Sequence, residues 1–582
     1  MTGVISDRPA RDGAGTTQAP PRHTGAALPR WLGHPLVLTL AAAALGVAYL
    51  IAAPETADMA AHTYRTWLWK QVGFATWNAQ WYGGHHMAGY SLLYPPLAAL
   101  AGTRLVGVVA AVVAAGLFAL LARRLAPTPG SAALASWLFL GGVMSNVVIG
   151  RMPFTLGIAL AVAAWACARR SWPAAAVLAL ASTWASPVAG VFLCVAALAI
   201  VAGARLREDP ERPDWRTALA LGVPAVAGGL LMALFFPEGG TDRFVLDAFW
   251  PGLVCAIGAV ALIDRTHRTA YVGAVLYLIV LVAAFALPNG LGQNALRPGA
   301  VLGPALLVLY ARRGASRPAL VALVALVGFL VYLQWLPAVR AVDEARGDPS
   351  TQAAFHQEVL DYLHGHARPG ERLEVPLTRN HWEATYLAED FPLARGWHRQ
   401  LDRKVNPLFY DSDQPLTPAS YGEWLRRNAV RFVALPDAPL DFSATAERKL
   451  LLAGVPGLKL VHESPDWRIW EVEDTEPPVS GPARLTAAGA NGFDLVAATP
   501  GRVLVRQHDT PYWTLAAGDG CISEDPETGW TAVDVRRAGL LRVRAEFSLA
   551  AALRRQNRCA DPDAAPAGPA PAGSVSPPVR GR

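Results

Sequence analysis

Long apolar runs separated by short polar connections occupy most of the first 340 residues. An α-helix needs about 20 apolar residues to cross a bilayer, and most of these runs approach that length. We predict eleven helices, over residues 33–53, 105–122, 131–150, 153–168, 173–186, 188–204, 217–236, 245–263, 270–287, 299–311 and 319–338. The pattern therefore predicts a polytopic α-helical membrane bundle.

Arginines fall in every second connection, on the same side as the Arg-bearing N-terminal tail. They are Arg123–Arg124, Arg169–Arg170, the Arg205–Arg216 segment, Arg265–Arg268 and Arg312–Arg313. The positive-inside rule places that side in the cytoplasm. Residues 173–204 would suit one long tilted helix, but only two short helices broken at Ser186–Pro187 keep all later clusters inside. The polar 54–96 loop and the chain after 340 then share the outer face.

The pattern changes after the last apolar run. Amphipathic segments Gln352–His366 and Pro418–Asn428 alternate with short strand-like runs, which predicts an extracytoplasmic α/β domain over 341–478. Alternating runs bounded by Gly, Asp and Pro then predict a β-sandwich-like domain over 479–562. Residues 1–30 and 563–582 are rich in small residues and proline, and we predict that both tails are disordered.

Composition supports a multi-pass protein of the cell membrane. The chain is 53% hydrophobic and 16% charged, which is too apolar for an ordinary soluble protein. Its net charge of +6 comes from arginines beside apolar runs, so the charge does not indicate a nucleic-acid partner. Cys521 and Cys559 are the two cysteines of the predicted outer part, and we expect a disulfide there; two unpaired thiols are the alternative.

Candidate chemistry concentrates in the 54–96 loop, which is rich in Trp, Tyr and His. Glu55, Asp58 and His62 are spaced i, i+3, i+7, so a helix would place two carboxylates and an imidazole on one face. We take these three as candidate catalytic residues. The alternative is a solvated loop whose aromatic residues form an interfacial belt.

Further polar residues should reach the same outer face. Single arginines near helix ends commonly extend to the membrane surface, but several converging on a carboxylate would hold a phosphate. The candidate substrate-binding residues are Asn146, Arg151, Arg243, Asn294, Arg297, His85 and His86. Metal binding by the two histidines with Asp58 and His62 is disfavoured, because adjacent side chains point in different directions and no zinc-binding motif occurs.

The segment TWNAQWYGGHHMAGYSLLYPPL follows an acidic residue placed just after the first helix. With about eleven crossings and an outer C-terminal part, this arrangement resembles the C superfamily of membrane glycosyltransferases (GT-C). Within that superfamily, Trp77–Asn78, Gly83–Gly84 and the Tyr94–Leu97 run resemble the membrane proteins labelled 6-pyruvoyl-tetrahydropterin synthase-related. The chain lacks the histidine triad that a pterin synthase requires.

The resemblance implies a GT-C-like domain over 31–340 and a hexosyl- or pentosyltransferase. Such an enzyme moves a sugar from a polyprenyl-phosphate donor in the membrane lipid to a glycan or lipid acceptor of the cell envelope, at the outer face. It also implies that Asp58 is the general base. The resemblance leaves a divalent cation open as a cofactor, because Asn146 and Arg151 stand where several members have a second acid.

Two other classes of function fit parts of the pattern. A broken helix at Ser186–Pro187 would suit a secondary transporter, although no internal repeat is visible. A non-catalytic protein would bind glycan through exposed aromatic residues of the C-terminal part. The candidates for stacking on sugars are Trp382, Trp397, Trp424, Trp467, Trp470, Trp513 and Trp530.

Overall fold

The computed structural model describes residues 29–205, 214–312, 316–410, 415–552 and 558–559. The tail predicted over 563–582 lies outside the described residues, as do residues 1–28 of the N-terminal tail. Arg313 and residues 206–213 of the Arg205–Arg216 segment also lie outside them.

Each predicted apolar run contains a helix, and two further helices lie between the first run and the second. In chain order the helices are α1 (Pro35–Ala52), α2 (Ala57–Val72), α3 (Tyr94–Ala101), α4 (Thr103–Leu125), α5 (Pro129–Ile149), α6 (Met152–Cys167), α7 (Trp172–Ala185), α8 (Pro187–Arg205), α9 (Trp215–Phe235), α10 (Leu246–Leu262), α11 (Arg268–Ala286), α12 (Leu296–Tyr310) and α13 (Arg317–Ala345). Helix α2 lies within the predicted 54–96 loop, and α3 begins near the end of that loop.

The bundle has the surface of a membrane protein. Seven helices in the described part are long and apolar enough to cross a bilayer, namely α1, α4, α5, α8, α9, α11 and α13. Helices α6, α7 and α10 are apolar but shorter. Large apolar side chains such as Ile51, Leu234 and Val321 are exposed on these helices. An aqueous surface would not tolerate so many, so lipid is their natural environment.

The chain reverses direction at Ser186–Pro187, as the arginine pattern predicted. A Cβ atom on Gly190 would lie 2.5 Å from the hydroxyl of Thr183. Residues seven apart in one continuous helix are about 10 Å apart along its axis, because each residue adds about 1.5 Å. Helices α7 and α8 are therefore two antiparallel segments, not one long helix.

The chain after α13 is rich in β-structure. A first four-stranded sheet has the order β1-β2-β4-β3, with β1 (Arg372–Glu374) parallel to β2 (Val430–Pro436) and the other pairs antiparallel. Strands β3 (Leu458–Glu463) and β4 (Trp467–Val472) complete it. The helices around this sheet are α14 (Ala353–His366), α15 (Glu383–Tyr386), α16 (Arg399–Val405), α17 (Pro418–Arg427) and α18 (Thr445–Ala453).

Two more four-stranded sheets follow, with the orders β10-β11-β8-β5 and β6-β7-β12-β9. Buried residues of both sheets, among them Leu495, Val505, Val533 and Val543, form one hydrophobic core. The elements are β5 (Val479–Ser480), β6 (Ala483–Gly489), β7 (Gly492–Ala497), β8 (Gly501–His508), β9 (Trp513–Ala517), β10 (Gly520–Glu524), β11 (Trp530–Val535), β12 (Gly539–Ala545) and the short helix α19 (Leu549–Ala552).

The predicted disulfide between Cys521 and Cys559 is confirmed. It closes a loop of 38 residues and joins the end of the described chain to β10. Arg558 adds an ion pair with Asp509 at 2.6 Å. A loop of this length contributes about 3–4 kcal/mol to stability by restricting the unfolded chain.

Candidate functional site

The connections between several helices meet at one end of the bundle, where the 54–96 loop crosses them. The Ser91 hydroxyl donates to the carbonyl of Ala185, at the turn between α7 and α8, over 2.8 Å. The amide of Asp242 donates to the carbonyl of Asn289 over 2.9 Å, which joins the α9–α10 and α11–α12 connections. Residues far apart in sequence therefore converge on this end.

The start of α2 is fixed against the turn between α5 and α6. The Thr56 hydroxyl donates to the carbonyl of Ile149 over 2.7 Å. Gly150, with φ of 98°, lies so close that a Cβ atom there would be 2.9 Å from Cγ of Met59. A side chain at 150 would push the two segments apart, so glycine permits the contact. This contact brings the first turn of α2 beside Arg151.

One face of α2 carries three polar side chains, but they are not the predicted three. Asp58, His62 and Arg65 are spaced i, i+4, i+7 within the helix. Glu55 lies before the helix and forms an ion pair with Arg104 at 2.7 Å. The prediction that Glu55 shares this face is wrong, because α2 begins at Ala57.

Asp58 faces a group of arginines. Its Oδ2 atom lies 3.5 Å from Nε of Arg151, the residue that precedes α6. Arg297, in the first turn of α12, lies over the ring of Phe154, with its guanidinium carbon 5.8 Å from the ring centroid. Burial and the positive charge of Arg297 lower the pKa of Arg151 to about 10, although Asp58 opposes this effect. Arg151 still carries its charge at neutral pH.

Arg65 completes this group and was not among the predicted site residues. It is 4% exposed and lies over the ring of Tyr90, with a distance of 4.1 Å from its guanidinium carbon to the ring centroid. Within the described residues no hydrogen bond or ion pair involves its guanidinium, and its Nε atom is fully buried. Burial lowers its pKa, while the charges of Glu238 and Asp58 raise it. The spacing of seven residues from Asp58 was the signal in the sequence.

His62 lies between Arg65 and Asp58 along the same face. Its ring is 5.7 Å from both the Tyr90 and the Tyr94 ring, centroid to centroid. Burial, together with the charges of Arg65 and Arg297, holds the pKa of His62 well below its usual range. The imidazole is therefore neutral at physiological pH, and its buried Nδ1 atom has no hydrogen-bond partner among the residues that the structure describes.

The two adjacent histidines of the loop point to different places, as expected. His85 stacks on Trp81, and its Nδ1 atom lies 3.4 Å from Oε2 of Glu238. His86 instead directs its Nδ1 atom to the carbonyl of Thr76 at 3.3 Å. His86 also lies near the α9–α10 connection, with its ring centroid 6.4 Å from that of Phe236, but its Nδ1 atom is directed away from Glu238 to the Thr76 carbonyl.

The remaining predicted residues are not drawn into the arginine group. Asn146 is buried and donates to the carbonyl of Gly142 within its own helix over 2.8 Å. Arg243 is exposed, and its backbone carbonyl accepts from the side chain of Gln293. Asn294 is partly buried in the single 3₁₀ turn before α12, and no contact described for its side chain reaches Asp58.

The C-terminal part holds the start of α2 from the other side. The indole N–H groups of Trp382 and Trp397 donate to the carbonyls of Glu55 and Ala57 over 3.0 and 2.7 Å. The Thr385 hydroxyl donates to a carbonyl one turn later, over 2.8 Å. Five of the seven tryptophans considered for sugar stacking are buried, namely Trp382, Trp424, Trp467, Trp513 and Trp530. Those five have a structural role.

No protein-family model matches this chain, and no curated protein matches it significantly.

Proposed function

We propose that the protein is a membrane glycosyltransferase that uses a polyprenyl-phosphate-linked sugar as donor and a cell-envelope glycan or lipid as acceptor. The observation that supports this most is the arrangement around Asp58. Arg151 contacts the carboxylate, and the positive charge of Arg297 lowers the pKa of Arg151. The buried Arg65 has no ion-pair partner among the described residues. The site lies at one end of an apolar bundle, where a lipid headgroup would sit.

The charges of this site suit a phosphodiester. Arg65, Arg151 and Arg297 carry three positive charges, and Asp58 is the carboxylate in contact with one of them. A sugar linked to a polyprenyl phosphate carries a negative charge on its phosphodiester, which the remaining positive charge attracts. Guanidinium groups bind phosphate oxygens through paired N–H donors, and such charge-assisted bonds are stronger than neutral ones.

Asp58 is the best candidate for the general base. It is partly exposed, with 30% of its side chain accessible, whereas Glu55 is held by Arg104 outside the helix. A base must reach the acceptor hydroxyl within hydrogen-bonding distance, and an accessible carboxylate in the site meets that requirement. His62, neutral and one helical turn further, is suited to hydrogen bonding with the sugar.

The outer face of the cell membrane remains the proposed location of the site. The arginine-rich connections belong to the opposite end of the bundle, where Asp264 and Arg312 bond the α10–α11 and α12–α13 connections together. By the positive-inside rule that end faces the cytoplasm. A transporter is less well supported, because transporters bind their cargo near the middle of the membrane and this cluster lies at one end.

A transfer assay tests the proposal. The full chain, reconstituted in lipid nanodiscs, is supplied with radiolabelled polyprenyl-phosphate sugars one at a time, together with a cell-envelope fraction as acceptor. We expect one sugar to leave the lipid fraction, and Asp58→Asn to lower the rate per folded molecule by roughly 10²–10⁴-fold. Glu55→Gln, a carboxylate change three residues away, is the control and should retain the rate. Equal rates for Asp58→Asn and the unchanged chain would overturn the assignment.

A further inference from the structure

His85, Glu238 and His398 come from three distant segments and converge on one point. Oε2 of Glu238 lies 3.4 Å from Nδ1 of His85 and 3.9 Å from Nδ1 of His398. One ligand-type atom from each residue lies within 4.8 Å of the other two. The segments are the 54–96 loop, the α9–α10 connection and the residue that precedes α16.

Glu238 is the unusual member of this group. Only 10% of its side chain is exposed, yet neither carboxylate oxygen has a hydrogen-bond partner among the described residues. Within the described part of the chain, Nδ1 of His85 also lacks one, although it lies 3.4 Å from Oε2 of Glu238. A buried carboxylate without hydrogen bonds is costly unless a charge or an ion compensates it.

We propose that His85, Glu238 and His398 form a binding site for a divalent transition-metal ion, with zinc as the best fit. Two imidazole nitrogens and one carboxylate oxygen form a donor set that suits zinc better than magnesium or calcium. This inference does not depend on the proposed glycosyl transfer.

The distances agree with such an ion. Bonds of about 2.0–2.1 Å in a tetrahedral site place neighbouring ligand atoms about 3.3–3.4 Å apart. The separation between His85 and Glu238 already has this value, and the separation between Oε2 of Glu238 and Nδ1 of His398 exceeds it by about half an ångström. Three protein ligands leave a fourth position for water or another ligand.

The backbone around each ligand is held in place. His85 forms two backbone hydrogen bonds with Asn78, the amide of His398 donates to the Tyr82 hydroxyl over 2.7 Å, and Lys404 donates to the carbonyl of Glu238 over 3.1 Å. A site whose ligands are fixed in advance loses little conformational entropy when the ion binds.

The far nitrogen of His85 also has a partner. Nε2 lies 3.1 Å from the side-chain amide nitrogen of Asn78, whose oxygen accepts from the Tyr64 hydroxyl. A metal-bound imidazole carries its proton on this far nitrogen and needs an acceptor there. Rotation of the Asn78 amide by 180° presents its oxygen to His85 and its NH₂ group to Tyr64. The rotation gives up the long 3.2 Å bond from the Gln80 amide.

Metal analysis of the full chain tests the site. Protein purified without a histidine tag is stripped with a chelator, dialysed against zinc chloride, and analysed by mass spectrometry for metals. We expect about one zinc per chain in the unchanged protein, and loss of that zinc in Glu238→Gln and in His398→Ala. His86→Gln is the matched control, because His86 directs its Nδ1 atom to the Thr76 carbonyl and is not one of the three converging residues, and it should keep the zinc.

A second measurement needs only the unchanged protein, so it does not depend on whether variants fold. The cobalt-substituted protein should show visible d–d absorption, and X-ray absorption of the zinc form should show two imidazoles and oxygen ligands without sulfur. Zinc that stays bound in folded Glu238→Gln and His398→Ala would overturn the proposal. So would failure of the unchanged protein to retain zinc, which would leave His85 and Glu238 as an ion pair only.

Discussion

At the scale of single residues, a substitution at Arg65 distinguishes a role in binding the donor from a role in stabilising the fold. It is buried over Tyr90 without a described hydrogen bond, so its charge adds little to the stability of the empty protein. We expect Arg65→Gln to raise the apparent KM for the lipid-linked donor roughly 10–100-fold, the value of a charge-assisted hydrogen bond, with little change in thermal stability.

Arg243→Gln is the control for this prediction, because Arg243 lies at the same end of the bundle and is exposed. Donor titrations with both variants provide the comparison. Equal apparent KM values for Arg65→Gln and Arg243→Gln would remove Arg65 from the donor site.

A second prediction at this scale concerns a buried acid pair beside the first sheet. Burial and the neighbouring charge of Glu447 hold the pKa of Glu374 well above its usual range, and burial raises the pKa of Glu447 to about 7. The unfolded chain ionises above pH 4.5, the ordinary glutamic acid value, whereas the folded pair retains protons. The free energy of unfolding should therefore fall as pH rises from 4.5 towards 7 and beyond.

Glu374→Gln should reduce this pH dependence, because glutamine is neutral at every pH and can still donate a hydrogen bond to Glu447. Melting temperatures recorded from pH 5 to pH 8 by intrinsic fluorescence measure the effect. Parallel curves for the two proteins would show that Glu374 does not titrate in this range.

At the scale of elements, the turn that presents His85 depends on Gly84. Gly84 has φ of 121°, and a Cβ atom there would lie 2.4 Å from the indole of Trp77. Gly84→Ala should cost about 1–3 kcal/mol, from backbone strain and from displacement of a buried ring. Gly73→Ala is a useful comparison, since Gly73 also has positive φ, at 67°, but has open space around it. If both variants melt at the same temperature, the close contact between residue 84 and Trp77 does not affect the stability of the protein.

The sequence predicted elements well where periodicity is strong. The apolar runs and the break at Ser186–Pro187 appear in the structure, since each depends on local pattern and burial. The prediction that Glu55 lies on the polar face of α2 was wrong, because the helix begins only after Thr56. Thr56 is fixed by a hydrogen bond to Ile149, a residue 93 positions away. Nothing local to Glu55 reveals that its partner is Arg104.

The site could be predicted only in part for the same reason. Asp58 and Arg151 were found because both flank apolar runs, and the structure brings them into contact. Glu238 and His398 join His85 through contacts between distant segments, which the spacing of residues along the chain cannot show.

At the scale of the whole molecule, the side of the membrane on which the C-terminal part lies can be tested by labelling. A cysteine label can be placed at Asp466, which is exposed between β3 and β4. Ser412, in the same C-terminal part, lies outside the described residues and is not used. In a chain without its three free cysteines, Cys167, Cys194 and Cys255, we expect Asp466→Cys to react with an impermeant maleimide in intact cells.

Thr266→Cys, in the exposed α10–α11 connection, should react only after lysis. These outcomes follow from the positive-inside rule. The reverse pair of outcomes would invert the proposed orientation.

The hydrogen bonds from Trp382 and Trp397 to the start of α2 have a consequence for synthesis of the protein. Trp382 leaves the ribosome 327 residues after Glu55, the residue whose carbonyl it binds. The apolar helices from α4 to α13 are made in that interval and α1 is made before it, so the bundle is inserted before the contacts that hold α2 exist. A message cut short after α13 would yield a protein with all its apolar helices and an unfinished site. The charged side chains of the site, among them Arg65, would then be exposed, and the cell's quality-control machinery could bind them.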